Sequence, residues 1–204
     1  MPDTKWMIKA REFVTLLGEN NKQILFSGNK PEAKEAVISN ALSLGLPYSK
    51  ERWIGGTITN FSEIKKRVNR LEELKAKKQA GELNIYTKKE RLLLDKEMDH
   101  MERFFSGLVS MKSLPSAVFL IDPKKESTAA NEARKMRIPI IALAGSDCDI
   151  GKIDYPIVAN DASKSSISFF VGEIVSAYKA GREKAIQNTQ NTQDNQDNKE
   201  KENG

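Results

Sequence analysis

A chain of 204 residues, 39% of them hydrophobic, can bury a core of ordinary domain size, and a net charge of +5 with 30% charged residues admits an anionic partner without requiring one. The single cysteine, Cys148, excludes an internal disulfide, and the single histidine, His100, leaves too few soft ligands for a structural zinc site. No stretch approaches the roughly 20 apolar residues of a membrane span, and Met1 to Lys5 opens no signal peptide, so a cytoplasmic protein without membrane contact is expected.

From Lys5 to Gly18, residues Trp6, Ala10, Phe13, Leu16 and Leu17 recur at helical spacing, with Gly18 as a stop. Gln23 to Ser27 predicts a short strand ending at Gly28. Pro31 suits the first turn of a helix that Ala33, Ala36, Val37, Ala41, Leu42 and Leu44 carry to Gly45, and Leu46 to Tyr48 predicts a brief second strand.

The period then changes. Phe61, Ile64, Val68 and Leu71 form a heptad seam, and Lys75 and Lys78 fall on its next positions, so the apolar face is expected to fade before Gly81. Thr87 and Glu90 make a capping box at the start of a second helix, whose seam is Leu94, Met98, Met101, Phe105 and Leu108. Two antiparallel, coiled-coil-like helices joined by a short turn predict a projecting hairpin rather than a compact layer.

Alternation resumes at Leu114. Ala117 to Ile121 is a continuous apolar run, of the kind buried on both faces of a parallel sheet, ending at Asp122-Pro123. A helix through Ala129, Ala130, Ala133 and Met136, a strand from Ile138 to Leu143, a polar loop from Gly145 to Asp149 and a strand at Pro156 to Val158 follow. Asp161 is expected to cap a last helix carrying Ile167, Phe170, Val171, Ile174, Val175 and Tyr178. Together these predict an α/β fold, a flavodoxin-like doubly wound parallel sheet with an inserted antiparallel helical hairpin. The sandwich takes residues 1–59 and 110–183, the hairpin 60–109, and the polar tail 184–204 is expected to be disordered.

Flavodoxin-like order would bring the loops at Gly28 and Asp122 together at the switch point, where small ligands bind in such sheets. Gly28-Asn29-Lys30 has neither the dinucleotide nor the Walker pattern and reads equally as a plain connection. Asp122, Asp147 and Asp149 can converge to hold a hard cation, or can simply cap and shape turns. Cys148 has no His partner and reads as a small loop residue. His100 lies off the hairpin seam, facing solvent or RNA, and no Ser-His-Asp or Cys-His set can be assembled. No cofactor, metal ligand set or catalytic residue is therefore assigned.

Positive charge is more informative. Lys65, Lys66, Arg67 and Arg70 crowd the first hairpin helix, and phosphate neutralisation requires such clusters, although interleaved Glu63, Glu72 and Glu73 also fit an ordinary solvated face. The segment Arg52-Trp53-Ile54-Gly55-Gly56-Thr57-Ile58-Thr59-Asn60-Phe61 reads as a domain junction: Trp53 wedges the insertion onto the sheet, Thr59 or Asn60 caps the helix, and Arg52 can reach a phosphate.

That segment resembles the Arg-Trp-Leu-Gly-Gly-x-Leu-Thr-Asn-Phe signature of the bacterial-type small-subunit ribosomal protein number two, the S-two family. Ile24 to Lys30, Leu114 to Pro123, Ala129 to Ala142 and Ile153 to Ala162 are similar to further family segments in order and spacing, so the resemblance covers about Trp6 to Tyr178. It implies a structural role in the small ribosomal subunit and no catalytic activity. The implied partners are ribosomal RNA, neighbouring small-subunit proteins and, where present, the large mRNA-binding protein. Arg52, Trp53, Lys65, Lys66, Arg67, Arg70 and Lys30 are the expected RNA-binding residues. The family's basic, His- and Trp-containing leader has no counterpart before Trp6, and Ala144 to Ile150 departs from its Val-Asp-Thr-Asn-x-Asp-Pro loop, so contacts made there do not carry over. The absence of an Arg-rich, acid-poor leader points to a bacterial cytoplasm. The competing reading is a nucleotide- or small-molecule-binding α/β enzyme that uses Gly28, Lys30, Asp122 and Asp149 at the switch point.

Overall fold

A computed structural model describes the backbone of residues 5–202 and the side chains of residues 5–188. Five parallel strands, β1 (Ile24–Ser27), β2 (Tyr48–Ser49), β3 (Ala117–Ile121), β4 (Ile140–Ala144) and β5 (Tyr155–Val158), form one sheet in the order β2-β1-β3-β4-β5. The register sets Leu25 beside Val118 and Val118 beside Ile140. The described residues also form six α-helices: α1 (Lys5–Glu19), α2 (Pro31–Leu44), α3 (Phe61–Gln79), α4 (Lys88–Phe105), α5 (Ser127–Lys135) and α6 (Lys164–Glu202). The order is that of a flavodoxin-like doubly wound sheet, with its switch point between β1 and β3.

Strand side chains alternate between two separate cores. Ile24, Phe26, Phe119, Ile121, Ile141 and Leu143 pack under α1, α2 and α6, with the Phe26 and Phe119 rings 5.4 Å apart. Leu25, Val118, Leu120, Ile140 and Ala142 face the other way, onto Ala129 and Ala133 of α5, onto Trp53 and Ile58, and onto the α3/α4 seam. Every residue of β3 and β4 is buried, which is why these strands read as unbroken apolar runs. Each large side chain so buried contributes about 1.5–3 kcal/mol.

Helices α1 and α6 cross through two glycines. A methyl group on Gly18 would strike the Tyr178 carbonyl, and one on Gly181 would strike the Thr15 carbonyl. Both residues are points of backbone contact between the helices, and Gly18 lies one residue before the end of α1, close to the stop expected from sequence. Helix α6 continues past residue 184, where the polar composition predicts disorder; residues 189–204 lie outside those whose side chains are described.

Between β2 and β3 the chain builds α3, a single 3-10 turn (Glu82–Ile85) and α4. The expected capping box is present, with the Thr87 amide donating to Glu90 Oε2 at 2.8 Å. The seam differs in detail. Ile64, Val68, Leu71 and Leu74 are buried on α3, opposite Met98, Met101 and Phe105 on α4, so the apolar face runs on through Leu74. Lys75 and Lys78 lie beside it and form ion pairs across to Glu102 and Asp95, each at 2.7 Å. The lower seam also belongs to the sheet's second core, so the root of this helical pair is part of the layer that covers the sheet.

Candidate nucleic-acid interface

At the switch point, where a doubly wound sheet usually receives a small ligand, this chain places its own lysine. Lys30 lies one residue before α2, and its Nζ is 2.6 Å from Asp122 Oδ2 and 3.2 Å from Asp161 Oδ2, with the Asp161 carbonyl at 3.1 Å. All three side chains are about nine-tenths buried. Burial alone would lower the lysine's pKa, but hydrogen bonds and charge from the two aspartates outweigh it and hold the ammonium above its ordinary value. Asp122 adopts a left-handed φ of 60° to reach this position, a conformation Asp tolerates better than most residues. Asp161 therefore anchors Lys30 and does not cap α6; Asn160 accepts from the Ala162 and Ser163 amides instead.

The three expected aspartates do not converge. Asp147 pairs with Lys124 at 2.8 Å, while Asp149 caps a short turn through the Gly151 amide and pairs with Lys152. The acidic group that does form is Asp122 and Asp161 with Cys148, whose ligand atoms lie within 4.8 Å of one another. Burial pushes the Cys148 thiol above its ordinary value, so it stays protonated at neutral pH.

The junction segment is organised around one carboxylate. Glu132 on α5 accepts from the Trp53 indole at 3.1 Å and the Gly56 amide at 2.7 Å through Oε1. Its Oε2 accepts from the amides of Ile58 and Thr59 and the Thr59 hydroxyl, at 2.9, 3.1 and 3.2 Å. Burial pushes this carboxyl up, but the Ile58, Gly56 and Thr59 amides and the indole more than reverse that, leaving it below the ordinary range. Thr59 is thus spent on Glu132, and Asn60 precedes α3 without a side-chain cap. Nothing in the sequence marks Glu132, because only the fold shows that five donors, 73 to 79 residues distant, converge on it.

The expected RNA contacts fall into three places. Trp53 and Lys30 turn inward, 7% and 9% exposed, and support the fold from within. Arg52 is exposed beside the junction and has no ion-pair partner among the described residues. Lys65 reaches the Lys112 carbonyl at 3.2 Å on one side of α3. Lys66, Arg67 and Arg70 line the other side, in a groove of about 480 Å³ between α3 and α4 whose far wall includes Lys96 and His100.

Four cations and His100 thus face one groove, against two carboxylates, Glu63 and Glu97. Lys66 pairs with Glu63 at 2.7 Å and Arg70 with Glu97 at 3.6 Å, both exposed pairs that solvent weakens. Arg67 and Lys96 have no ion-pair partner among the described residues. A roomier groove along α1, about 590 Å³, balances Arg11 and Lys184 against Glu12 and Glu19, so it offers an anion no comparable preference. Lys96 and His100, one helical turn apart and off the α4 seam, are the groove residues missing from the sequence-derived set.

Fold and site together define a flavodoxin-like α/β sandwich that holds a buried Lys30–Asp122–Asp161 cluster at its switch point and carries a cation-lined groove between α3 and α4. Residues 3–181 match the family model for ribosomal protein S2, and the chain belongs to that family. It is 41% identical over 173 residues, 85% of its length, to the small ribosomal subunit protein uS2 of Nocardia farcinica. The match spans 61% of that relative's length. Among the described residues no helix is long and apolar enough to cross a membrane.

Proposed function

We propose that this chain is a structural constituent of the small ribosomal subunit, in the cytoplasm, and works by holding ribosomal RNA and neighbouring ribosomal proteins, not by catalysis. The observation that carries this reading, beside family membership, is the gathering of Lys66, Arg67, Arg70 and Lys96 along one groove. Arg52 and the groove cations neutralise backbone phosphates, and Lys65 extends the contact to the opposite side of α3. Lys30 and Trp53 serve this interface by fixing the sheet and the junction beneath it. Exposed Ile85, at the turn between α3 and α4, and Leu92 and Leu93, in the second turn of α4, offer apolar surface to a protein neighbour, including the large mRNA-binding protein where one is present.

The decisive experiment fractionates a lysate on a sucrose gradient and follows this chain. Migration with small subunits is expected; a chain found only at the top of the gradient, at every salt concentration tried, would refute the assignment. Replacing Lys66, Arg67 and Arg70 together by Ala should lower the slope of log affinity against log salt by about 2–3, near 0.9 for each lost phosphate contact. The enzyme reading is opposed by the commitment of Lys30 and Asp122, two of its four residues, to a buried ion-paired cluster with Asp161. Thermal shift with nucleotides and Mg²⁺ tests it, since a ligand at a hundredfold excess over its Kd adds about 2.7 kcal/mol. No shift is expected.

A further inference from the structure

Phosphate neutralisation alone does not require concavity, because a duplex backbone can be met by cations on a convex helix face. The α3/α4 groove is an open hollow of about 480 Å³, with room for one nucleotide lying against its surface. Its lining combines three chemistries. Arg67 and Lys96 supply positive charge uncommitted to any carboxylate among the described residues. The His100 ring supplies a π surface, with Met101 beside it in the lining and the Phe104 ring tilted against it at 5.1 Å. Glu97, held only at 3.6 Å by Arg70, supplies an acceptor at the rim.

These are the requirements of one unpaired ribonucleotide: a phosphate, a base with a π face, and a hydroxyl or exocyclic amine that donates. An acidic peptide would use the cations but would leave the imidazole idle. We propose that the groove between α3 and α4 receives an unpaired nucleotide of RNA, its phosphate on Arg67 and Lys96 and its base against His100. The inference rests on the RNA-binding reading above and goes further, because it distinguishes a bulged or looped RNA from a continuous duplex.

The test measures binding of the full chain to a short labelled RNA duplex with one unpaired 2-aminopurine, and to the same duplex fully paired, at one fixed salt concentration. Wild type should prefer the bulged RNA about tenfold, the scale of one base stacked on an aromatic side chain, and should change the fluorescence of the unpaired base. His100→Ala should abolish the preference and the fluorescence change while retaining duplex affinity; Lys96→Ala should weaken bulged RNA more than paired RNA. Lys65→Ala, on the opposite side of α3, should leave the preference intact. Equal affinity for the two RNAs, or a preference that survives His100→Ala, would overturn the groove assignment while leaving general RNA binding in place. Displacement of the bulged RNA by a short poly-glutamate peptide at equal concentration would overturn it in favour of an acidic protein ligand. Failure of wild type to bind either RNA at low salt would instead remove the RNA-binding reading itself.

Discussion

Replacing Glu132 by Ala removes the acceptor for three backbone amides, the Trp53 indole and the Thr59 hydroxyl. Gly56 and Thr59 lie near enough to solvent for water to take over. Trp53 and Ile58, 7% and 1% exposed, do not. Two orphaned buried donors at about 1–3 kcal/mol each give an expected loss of about 4 kcal/mol, a large share of a domain's total stability. Glu132→Gln should cost less, about 2 kcal/mol, because one oxygen still accepts while the new amide faces at least two N–H donors. With a urea m value of about 2 kcal/mol/M, the Ala variant should unfold near 2 M lower, with m unchanged and altered Trp53 emission. The sign with pH follows from the depressed carboxyl. Its stabilisation is fully present above the ordinary carboxylate range and is lost as pH falls through the lower folded value, so the gap between wild type and Gln should narrow in acid. An Ala variant within about 0.5 kcal/mol of wild type, with unchanged Trp53 emission, would show that the carboxylate does not hold the junction.

Glu126 should behave in the opposite sense. Burial raises its carboxyl by more than the Asn29 amide and the neighbouring Ser27 hydroxyl lower it. A raised carboxyl favours the folded state below its unfolded value and costs stability as pH rises through the folded one, so Glu126→Gln should stabilise by about 1 kcal/mol at neutral pH and flatten the pH profile of urea unfolding. Lys30→Met should destabilise by about 3–5 kcal/mol by leaving two buried aspartates face to face, and adding Asp122→Asn and Asp161→Asn should restore most of it; additive losses in thermal unfolding would contradict the triad. Lys30→Ala should also gain a Zn²⁺-dependent rise in Tm absent from wild type, because Asp122, Cys148 and Asp161 would then surround a vacated position. Gly181→Ala should lower stability by about 1–3 kcal/mol through the clash with α1, whereas Gly172→Ala, with open space around it, should raise Tm slightly; equal effects would refute the close crossing of α1 and α6.

What could be read from sequence was periodic. The all-buried strands β3 and β4, the Thr87–Glu90 capping box and the seam of α4 each announce themselves within a dozen residues, and the sheet order follows from alternation. What escaped was convergent. Asp161 looks like any residue ahead of a helix until the fold brings it 3.2 Å from an ammonium 131 residues earlier. Glu132 carries no local signal on α5 until the fold brings Trp53 and Ile58 to it. The seam of α3 fades before Gly81 as its heptad spacing implies, but it ends on Leu74, and Lys75 and Lys78 stand at its edge as ion-pair partners.

The same distinction explains why four neighbouring cations could be named from sequence but not sorted. Along α3 a step of one residue turns a side chain by about 100°, so Lys65 and Lys66 point to different sides of the helix although they are adjacent in the chain. Only Lys66, Arg67 and Arg70 share a face, and they gain a binding surface only because α4 lies alongside with Lys96 and His100. The position of α4 is set in turn by Met98, Met101 and Phe105 against the α3 seam, whose lower end is anchored in the sheet's second core beside Trp53. Charge at the groove is therefore separable from stability, since Arg67, Lys96 and His100 can each be truncated without opening the core. The groove's shape is not separable, because it depends on the same seam that Glu132 and Trp53 join to the sheet.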